Sequence, residues 1–183
     1  MDRKWVDDIL DFWFHELTQQ DWYSGAAEVD EKIRSRFQDL YHRLREELSV
    51  EEVNDPRTAL AAVIAFDQFP RNMFRKSAAA FGSDDMAISI ARRAVDAEFD
   101  KDMSPPEKQF LYMPFMHSEI SADQERCVDL FKTLGNEENV KYAIEHRDII
   151  ADYGRFPHRN RVLGRESTPA EMKFMEGHKG YGQ

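Results

Sequence analysis

The chain has 183 residues, of which 42 % are hydrophobic and 33 % are charged, and its formal net charge is −10. This length fits one domain with a sizeable core. The acidic balance disfavours a general nucleic-acid binder or a membrane-surface protein, and no apolar run approaches the roughly 20 residues of a membrane span. The charged N-terminus is unlike a signal peptide, and the single Cys127 cannot form an internal disulfide, so we expect a cytoplasmic protein.

Apolar residues recur every three to four positions along most of the chain, which predicts amphipathic helices. The first predicted helix covers 9–17 and the second covers 29–48. Asp55-Pro56 is typical of an N-cap followed by proline at the first helical position. The third helix is therefore expected to begin there and to end at Pro70, because proline disrupts a helix interior.

Later helix starts are predicted from capping residues. Ser83 is expected to cap a fourth helix, and three capping boxes follow it, at Ser104–Glu107, Ser121–Gln124 and Thr168–Glu171. Gly135 and Gly154 come directly after two apolar runs, where glycine commonly ends a helix. Strand signals are scarce. The predicted fold is all-α: a single-domain antiparallel stack of about eight helices over residues 1–176, with a flexible C-terminal tail at 177–183.

The order of the helices predicts where their connecting turns lie. Short turns make neighbouring helices antiparallel, so every odd-numbered helix of the stack points the same way. The turns after the third, fifth and seventh helices should then share one edge. These turns are FPRN at 69–72, MHSE at 116–119 and FPHRN at 156–160. Trp22 and Tyr23, after the first helix, are expected at the same edge.

Basic residues concentrate after the seventh helix. Residues 154–165 contain no acid but five basic side chains, namely Arg155, His158, Arg159, Arg161 and Arg165. Guanidinium groups bind carboxylate or phosphate through paired hydrogen bonds, which indicates an anionic ligand. Alternatively, these arginines pair with acids of the chain or lie at helix C-termini. The predicted ligand-binding residues are Asp67, Arg71, Asn72, Arg155, His158, Arg159, Asn160 and Arg165.

Asp67 continues the apolar face that Leu60 and Ile64 begin, so we expect its side chain to point inward. A buried carboxylate is costly without a partner, and a nearby cation should therefore exist. A structural salt bridge and a catalytic role both fit this position. The candidate partners are Arg71, Arg155 and Arg159.

Three residues are candidates for proton transfer: His117, Glu119 and His146. The first two are expected in a loop after Pro114. His146 lies on an apolar helical face and could equally be a hydrogen-bonded core residue. These groups and His158 could also ligate a metal, but their spacing matches no standard zinc motif, so we expect no metal and no cofactor.

Long segments of the chain resemble the bacterial family known as domain of unknown function 924. The resemblance lies in FWF at 12–14, DQFPRNMFR at 67–75, FLYMPFMHSE at 110–119, LFKTLG at 130–135 and the segment 146–171. It implies a tetratricopeptide-like helical fold and a bacterial cytosolic origin. The family brings no established activity, so it implies no catalytic role for any residue.

These observations favour a site that binds, and could act on, a small anionic molecule at one edge of the helical stack. The main alternative is a non-enzymatic helical-repeat module that binds a peptide or a protein. A third interpretation makes the polar residues a network that only stabilises the fold.

Overall fold

Helices account for all the regular secondary structure of the computed structural model, which describes residues 3–178 and 180–181. The α-helices are α1 (Lys4–Asp11), α2 (Gln19–Ser24), α3 (Ala27–Glu47), α4 (Pro56–Val63), α5 (Phe69–Met73), α6 (Asp84–Asp96), α7 (Pro105–His117), α8 (Ser121–Lys132), α9 (Glu137–Tyr153) and α10 (Pro169–Gly177). Two π-helical segments, Phe12–Glu16 and Ile64–Gln68, and three short 3₁₀ turns, Val50–Glu52, Ala78–Phe81 and Pro157–Arg159, complete the set. The all-α prediction is confirmed, while the tetratricopeptide-like arrangement stays a prediction.

Helices that are neighbours in sequence mostly pack on each other in the second half of the chain. Helix α7 packs against α6 and α8, and α8 packs against α9. In the first half, α1 packs on α4 and α3 packs on α5. Aromatic side chains fill the centre, with the ring of Trp13 against those of Phe69 and Phe110. Within the described part of the chain, no helix combines the length and apolar character that crossing a bilayer requires.

The helix that was predicted to end at Pro70 continues through it to Met73. The π-helical segment precedes this proline, and the Phe69 N–H bonds back to the Ile64 carbonyl. Because Pro70 has no N–H, the Phe66 carbonyl loses its ordinary helical partner. The Ser83 hydroxyl donates to that carbonyl instead, at 2.7 Å. A side chain thus replaces the missing backbone donor, and the predicted stop at Pro70 is wrong.

The capping predictions are partly right. The boxes that begin at Ser104 and Thr168 are both present. The box at Ser121 is wrong, because Ile120 occupies the N-cap position of α8. The Gln124 amide that was expected in that box donates instead to three carbonyls around the end of α7, those of Phe115, Met116 and Ser118. Gln124 therefore fixes the end of α7, where His117 lies.

The segments predicted to share an edge do meet, through the Asp67–His117 and Glu119–Phe156 hydrogen bonds, although 69–72 is helical rather than a turn. Trp22 and Tyr23 do not belong to this edge. Trp22 donates to the Trp13 carbonyl and packs on Phe110, and Tyr23 pairs with Gln109. Gln109 and Phe110 lie about two helical turns before the end of α7, since one turn contains about 3.6 residues.

The C-terminal tail is described only in part, since residues 179, 182 and 183 lie outside the described residues. Of the remainder, His178 bonds Glu145 at 3.2 Å. Tyr181 stacks on His146, with ring centroids 4.1 Å apart. These residues pack against α9.

Candidate functional site

Asp67 is the centre of a buried polar cluster at the shared edge. Its residue is 0 % exposed, and it lies within the π-helical segment 64–68, a feature that is frequent at functional sites. The amide of Gln68 donates to one carboxylate oxygen at 2.6 Å. The Nδ1 atom of His117 lies 2.7 Å from the other. Asp67 thus meets the end of α7 at His117.

Arg71 extends this cluster towards α6. Its guanidinium donates to both carboxylate oxygens of Asp84, at 2.8 and 3.0 Å, and to the backbone carbonyl of Asp67 at 2.6 Å. The same nitrogen lies 3.4 Å from the Asp67 carboxylate. Paired hydrogen bonds of this kind are among the strong ion pairs of proteins. Of the three partners that were considered for Asp67, the structure therefore selects Arg71.

Arg159 approaches Asp84 from the 3₁₀ turn 157–159. Its nearest carboxylate oxygen belongs to Asp84, at 3.6 Å, which is too long for a hydrogen bond. The Phe81 and Phe156 rings lie against the guanidinium, with centroids 4.7 and 4.5 Å from Cζ. The buried Nε atom finds no hydrogen-bond partner among residues 3–178 and 180–181. Arg159 is 5 % exposed, so a buried cation here is only weakly paired.

The ionisation of Asp67 and His117 follows from their surroundings. Burial opposes the charge of Asp67, but the charge of Arg71, the neighbouring His117 and the hydrogen bond from Gln68 outweigh it and lower the pKa of Asp67 to about 2. Burial, reinforced by the charge of Arg71, lowers the pKa of His117 despite the nearby Asp67. At neutral pH a neutral His117 therefore donates Nδ1–H to an ionised Asp67. Its Nε2 atom is left as a hydrogen-bond acceptor.

Burial also lowers the pKa of Arg159, to about 10, and the like charge of Arg71 acts in the same direction. Asp84, Glu119 and Asp67 oppose this change without cancelling it. The guanidinium still carries its charge at neutral pH. The lowered pKa indicates that the surrounding residues do not fully compensate a buried positive charge.

A second polar network lies beside the cluster and uses Glu119. Its carboxylate accepts two hydrogen bonds from Arg165, at 2.7 and 3.0 Å, and one from the Phe156 N–H at 2.8 Å. Arg165 also donates to the Phe156 carbonyl and to the Asn160 side chain. The Asn160 amide donates to Ser167. This network joins the end of α7 to the segment after α9.

Arg155 and Asn72 point away from the cluster. Arg155 donates twice to Glu171, at 2.6 and 2.9 Å, and once to the Glu166 carbonyl. Asn72 bonds the Gln68 carbonyl and Arg75. Of the predicted ligand-binding residues, the structure thus brings together Asp67, Arg71 and Arg159, with His117. It places Asn72, Arg155, Asn160 and Arg165 in contacts with other groups of the chain.

His146 and His158 border the cluster on its far side. His146 donates Nδ1–H to the Tyr142 carbonyl at 2.8 Å. Neither ring nitrogen of His158 has a hydrogen-bond partner within the part of the chain that the structure describes. Burial lowers the pKa of each to about 3, with the charge of Arg159 acting in the same direction. Both rings are therefore neutral near pH 7, and both pack on Tyr181.

Sequence reasoning missed three residues of the cluster: Gln68, Phe81 and Asp84. Asp84 is the first residue of α6, where an acid is also favoured by the helix dipole, so its spacing carries no sign of a second role. Phe81 lies in a 3₁₀ turn without a periodic pattern. Across the described residues, no group of three or more His, Cys, Asp or Glu is placed to hold a metal ion.

Comparisons with known proteins give a family by sequence and one similar solved structure. Residues 9–179 match the family model described as a bacterial protein of unknown function, DUF924. A solved structure of a protein of unknown function from Agrobacterium tumefaciens is similar, with a TM-score of 0.88 and 37 % sequence identity. The similarity covers 94 % of this chain and 97 % of that one. No curated protein matches the chain.

Proposed function

This chain belongs to the bacterial DUF924 family, and we propose that its buried cluster binds a small anionic molecule and removes a proton from that molecule or from a water beside it. Arg159 holds the anion and His117 accepts the proton. The observation that carries the proposal is a buried arginine whose Nε finds no hydrogen-bond partner in the described part of the chain, in the same cluster as a histidine that a carboxylate orients.

The anion-binding role rests on unused donors. A guanidinium has five N–H donors. The buried Nε of Arg159 has no hydrogen-bond partner among the described residues, and the contact of its Nη1 with Asp84, at 3.6 Å, is too long for a hydrogen bond. An unsatisfied buried charged donor costs more than the roughly 1–3 kcal/mol of a neutral one. The fold tolerates this cost, which is expected when an anion supplies the missing acceptors in the working protein.

The proton-accepting role rests on the pair His117–Asp67. A buried carboxylate at Nδ1 fixes the tautomer of an imidazole and stabilises the imidazolium that forms when Nε2 takes a proton, as in hydrolytic triads. The side chain of His117 is 11 % exposed and that of Asp84 is 21 % exposed, against 1 % for Asp67. The cluster is therefore open to solvent on the side of His117 and Asp84.

The contacts of Arg71 connect the two roles. It bonds the backbone of Asp67 and both oxygens of Asp84, so it spaces the histidine from the weakly paired Arg159. The proton leaves the ligand or the water as H⁺ on Nε2, and the electron pair stays on the atom that lost it.

Thermal melts of the wild type and of two variants test the proposal. Arg159→Gln removes the proposed anion site, and Arg161→Gln is the matched control, because Arg161 is exposed in the same segment. Acetate and inorganic phosphate are titrated separately. Binding to the native state raises the melting point of the wild type and the control by mass action, and it should fail to raise that of Arg159→Gln. Equal shifts in all three proteins, or none in any, would contradict the proposal.

The alternative, peptide binding, is favoured by one surface feature. An open groove of about 410 Å³ lies between α9 and α10 and includes Ile144, Ile149, Tyr153 and Phe174. Its floor is apolar, and acidic residues such as Glu145 and Asp148 surround it. A partner there would be an apolar segment with basic flanks. Binding of such a peptide that Phe174→Asp abolishes and Arg159→Gln leaves unchanged would support this function instead.

A further inference from the structure

We infer that the Arg159 site takes a planar monocarboxylate and rejects tetrahedral oxyanions such as phosphate and sulfate. The inference rests on the proposed function and specifies the chemical class of its ligand. Two independent features of the cluster lead to it: the balance of buried charge, and the aromatic rings that lie against the weakly paired Arg159.

The charge balance limits how much negative charge the site can accept. Arg71 and Arg159 supply two positive charges, and Asp67 and Asp84 supply two negative charges at interaction distances of 2.8–3.6 Å. The nearby Glu119 is matched by its own partner Arg165. The cluster is thus neutral before a ligand arrives. A monoanion leaves one uncompensated negative charge, whereas a dianion leaves two beside Asp84, and like charges in a buried site are strongly unfavourable.

The three histidines do not supply the missing positive charge. His117, His146 and His158 are all neutral near pH 7, because burial disfavours their charged forms, and the charge of Arg159 acts in the same direction at all three, joined by Arg71 at His117. A phosphate-binding site would instead need further cations or a row of backbone N–H groups directed at the ligand. In the described residues, the basic side chains Arg155 and Arg165 that follow α9 are already bound to Glu171 and Glu119.

The aromatic rings limit the shape of the ligand. Faces of Phe81 and Phe156 lie against the Arg159 guanidinium, so hydrogen bonds are available mainly in the guanidinium plane. A carboxylate has two oxygens in one plane and matches such an edge. A tetrahedral anion has further oxygens out of this plane, and these would face the negative π-surfaces of rings that offer no donors. The rings therefore favour a flat anion.

Anion titrations by calorimetry and thermal melts test the inference. Acetate is compared with phosphate and sulfate at equal ionic strength, with acetamide as the uncharged planar control. Phosphate is tested at about pH 8, as a dianion, and at about pH 5.5, mainly as a monoanion, since its second pKa is about 6. The expected result is an affinity for acetate at least roughly tenfold above that for phosphate at both pH values, and no binding of acetamide.

The outcomes separate this inference from the proposed function. Phosphate or sulfate binding as tightly as acetate, and lost in Arg159→Gln, would overturn the preference for carboxylates and leave the anion site standing. Tight binding of phosphate at the lower pH alone would overturn the shape argument, and with it the inference. Absence of any anion effect that Arg159→Gln removes would overturn both. Arg161→Gln must retain the wild-type order of affinities.

Discussion

Two neighbouring regions use the same residue types in opposite ways. In the Glu119 network, Arg165 makes four hydrogen bonds to Glu119, Asn160 and the Phe156 carbonyl. In the Asp67 cluster, Arg159 is more deeply buried and makes none with the described residues. An arginine that stabilises the fold is expected to satisfy its donors, since unmet donors are costly. The proposed function accounts for the difference: Arg165 stabilises the fold, and Arg159 is the residue proposed to bind the anion.

Removal of the central carboxylate should produce the largest effect. Asp67→Ala leaves Arg71 with Asp84 alone and leaves the His117 Nδ1–H without its acceptor in a buried site. We expect the free energy of unfolding to fall by about 3–5 kcal/mol, as for other broken buried ion pairs. Chemical denaturation measures it, with Asp39→Ala as the control, because Asp39 is exposed. A loss below about 0.5 kcal/mol, typical of surface positions, would show that the cluster does not depend on Asp67.

The contrast between the two arginines can be tested directly. Arg165→Met strands Glu119 and should cost about 2–3 kcal/mol, because charged hydrogen bonds are lost. Arg159→Met should change stability by less than about 1 kcal/mol, because replacing a poorly paired buried charge by an apolar side chain is often neutral or stabilising. The denaturant midpoints of the two variants, each compared with the wild type, measure these stability changes. If Arg159→Met is the more damaging change, Arg159 has a structural role and the comparison above is wrong.

Part of this contrast could be predicted from the sequence. Helix parity predicted that the segments 69–72, 116–119 and 156–160 meet at one edge, because short turns leave little freedom in direction; they do meet, although 69–72 is helical. The periodic face of the third helix also placed Asp67 inward. The choice between Arg159 and its neighbours could not be predicted, because it depends on side-chain direction in a turn without periodicity. Equally, the π-helical segment before Pro70 depends on Ser83, a hydroxyl that only the folded chain brings to the Phe66 carbonyl.

A smaller effect should come from Gln68, which orients the Asp67 carboxylate without contacting the proposed anion site. Gln68→Met removes the 2.6 Å hydrogen bond to an ionised acceptor and should cost about 1.5–2 kcal/mol. It should also raise the pKa of Asp67 and weaken the hold on the His117 tautomer. Titration of the His117 ring followed by NMR checks the second effect. Asn72→Leu removes the hydrogen bond that the Asn72 side-chain amide donates to the Gln68 backbone carbonyl. This control should leave the titration of His117 unchanged.

The smallest predicted effect concerns His158 and pH. Its pKa in the folded protein is about 3, below the ordinary value of about 6.5, because of burial and then the charges of Arg159 and His178, which Glu119 only partly opposes. Unfolding therefore takes up a proton in this range. The stability that a neutral His158 contributes is complete above about pH 6.5 and is lost progressively as the pH falls towards about 3.

Replacement of His158 by leucine should separate this pH effect from the effect of packing. At about pH 7.5, His158→Leu should be neutral or slightly stabilising, since it removes two ring nitrogens that have no partner among the described residues. At about pH 5 the variant should be more stable than the wild type by roughly 1 kcal/mol, which is half of the ~2 kcal/mol that the interval of about 1.5 pH units below the ordinary pKa of about 6.5 allows, because the ring is partly exposed. Urea denaturation at both pH values measures the difference. His146 remains in the variant, so part of the fall in unfolding free energy with decreasing pH should remain. If His158→Leu loses as much unfolding free energy between the two pH values as the wild type does, the acid sensitivity belongs entirely to other groups.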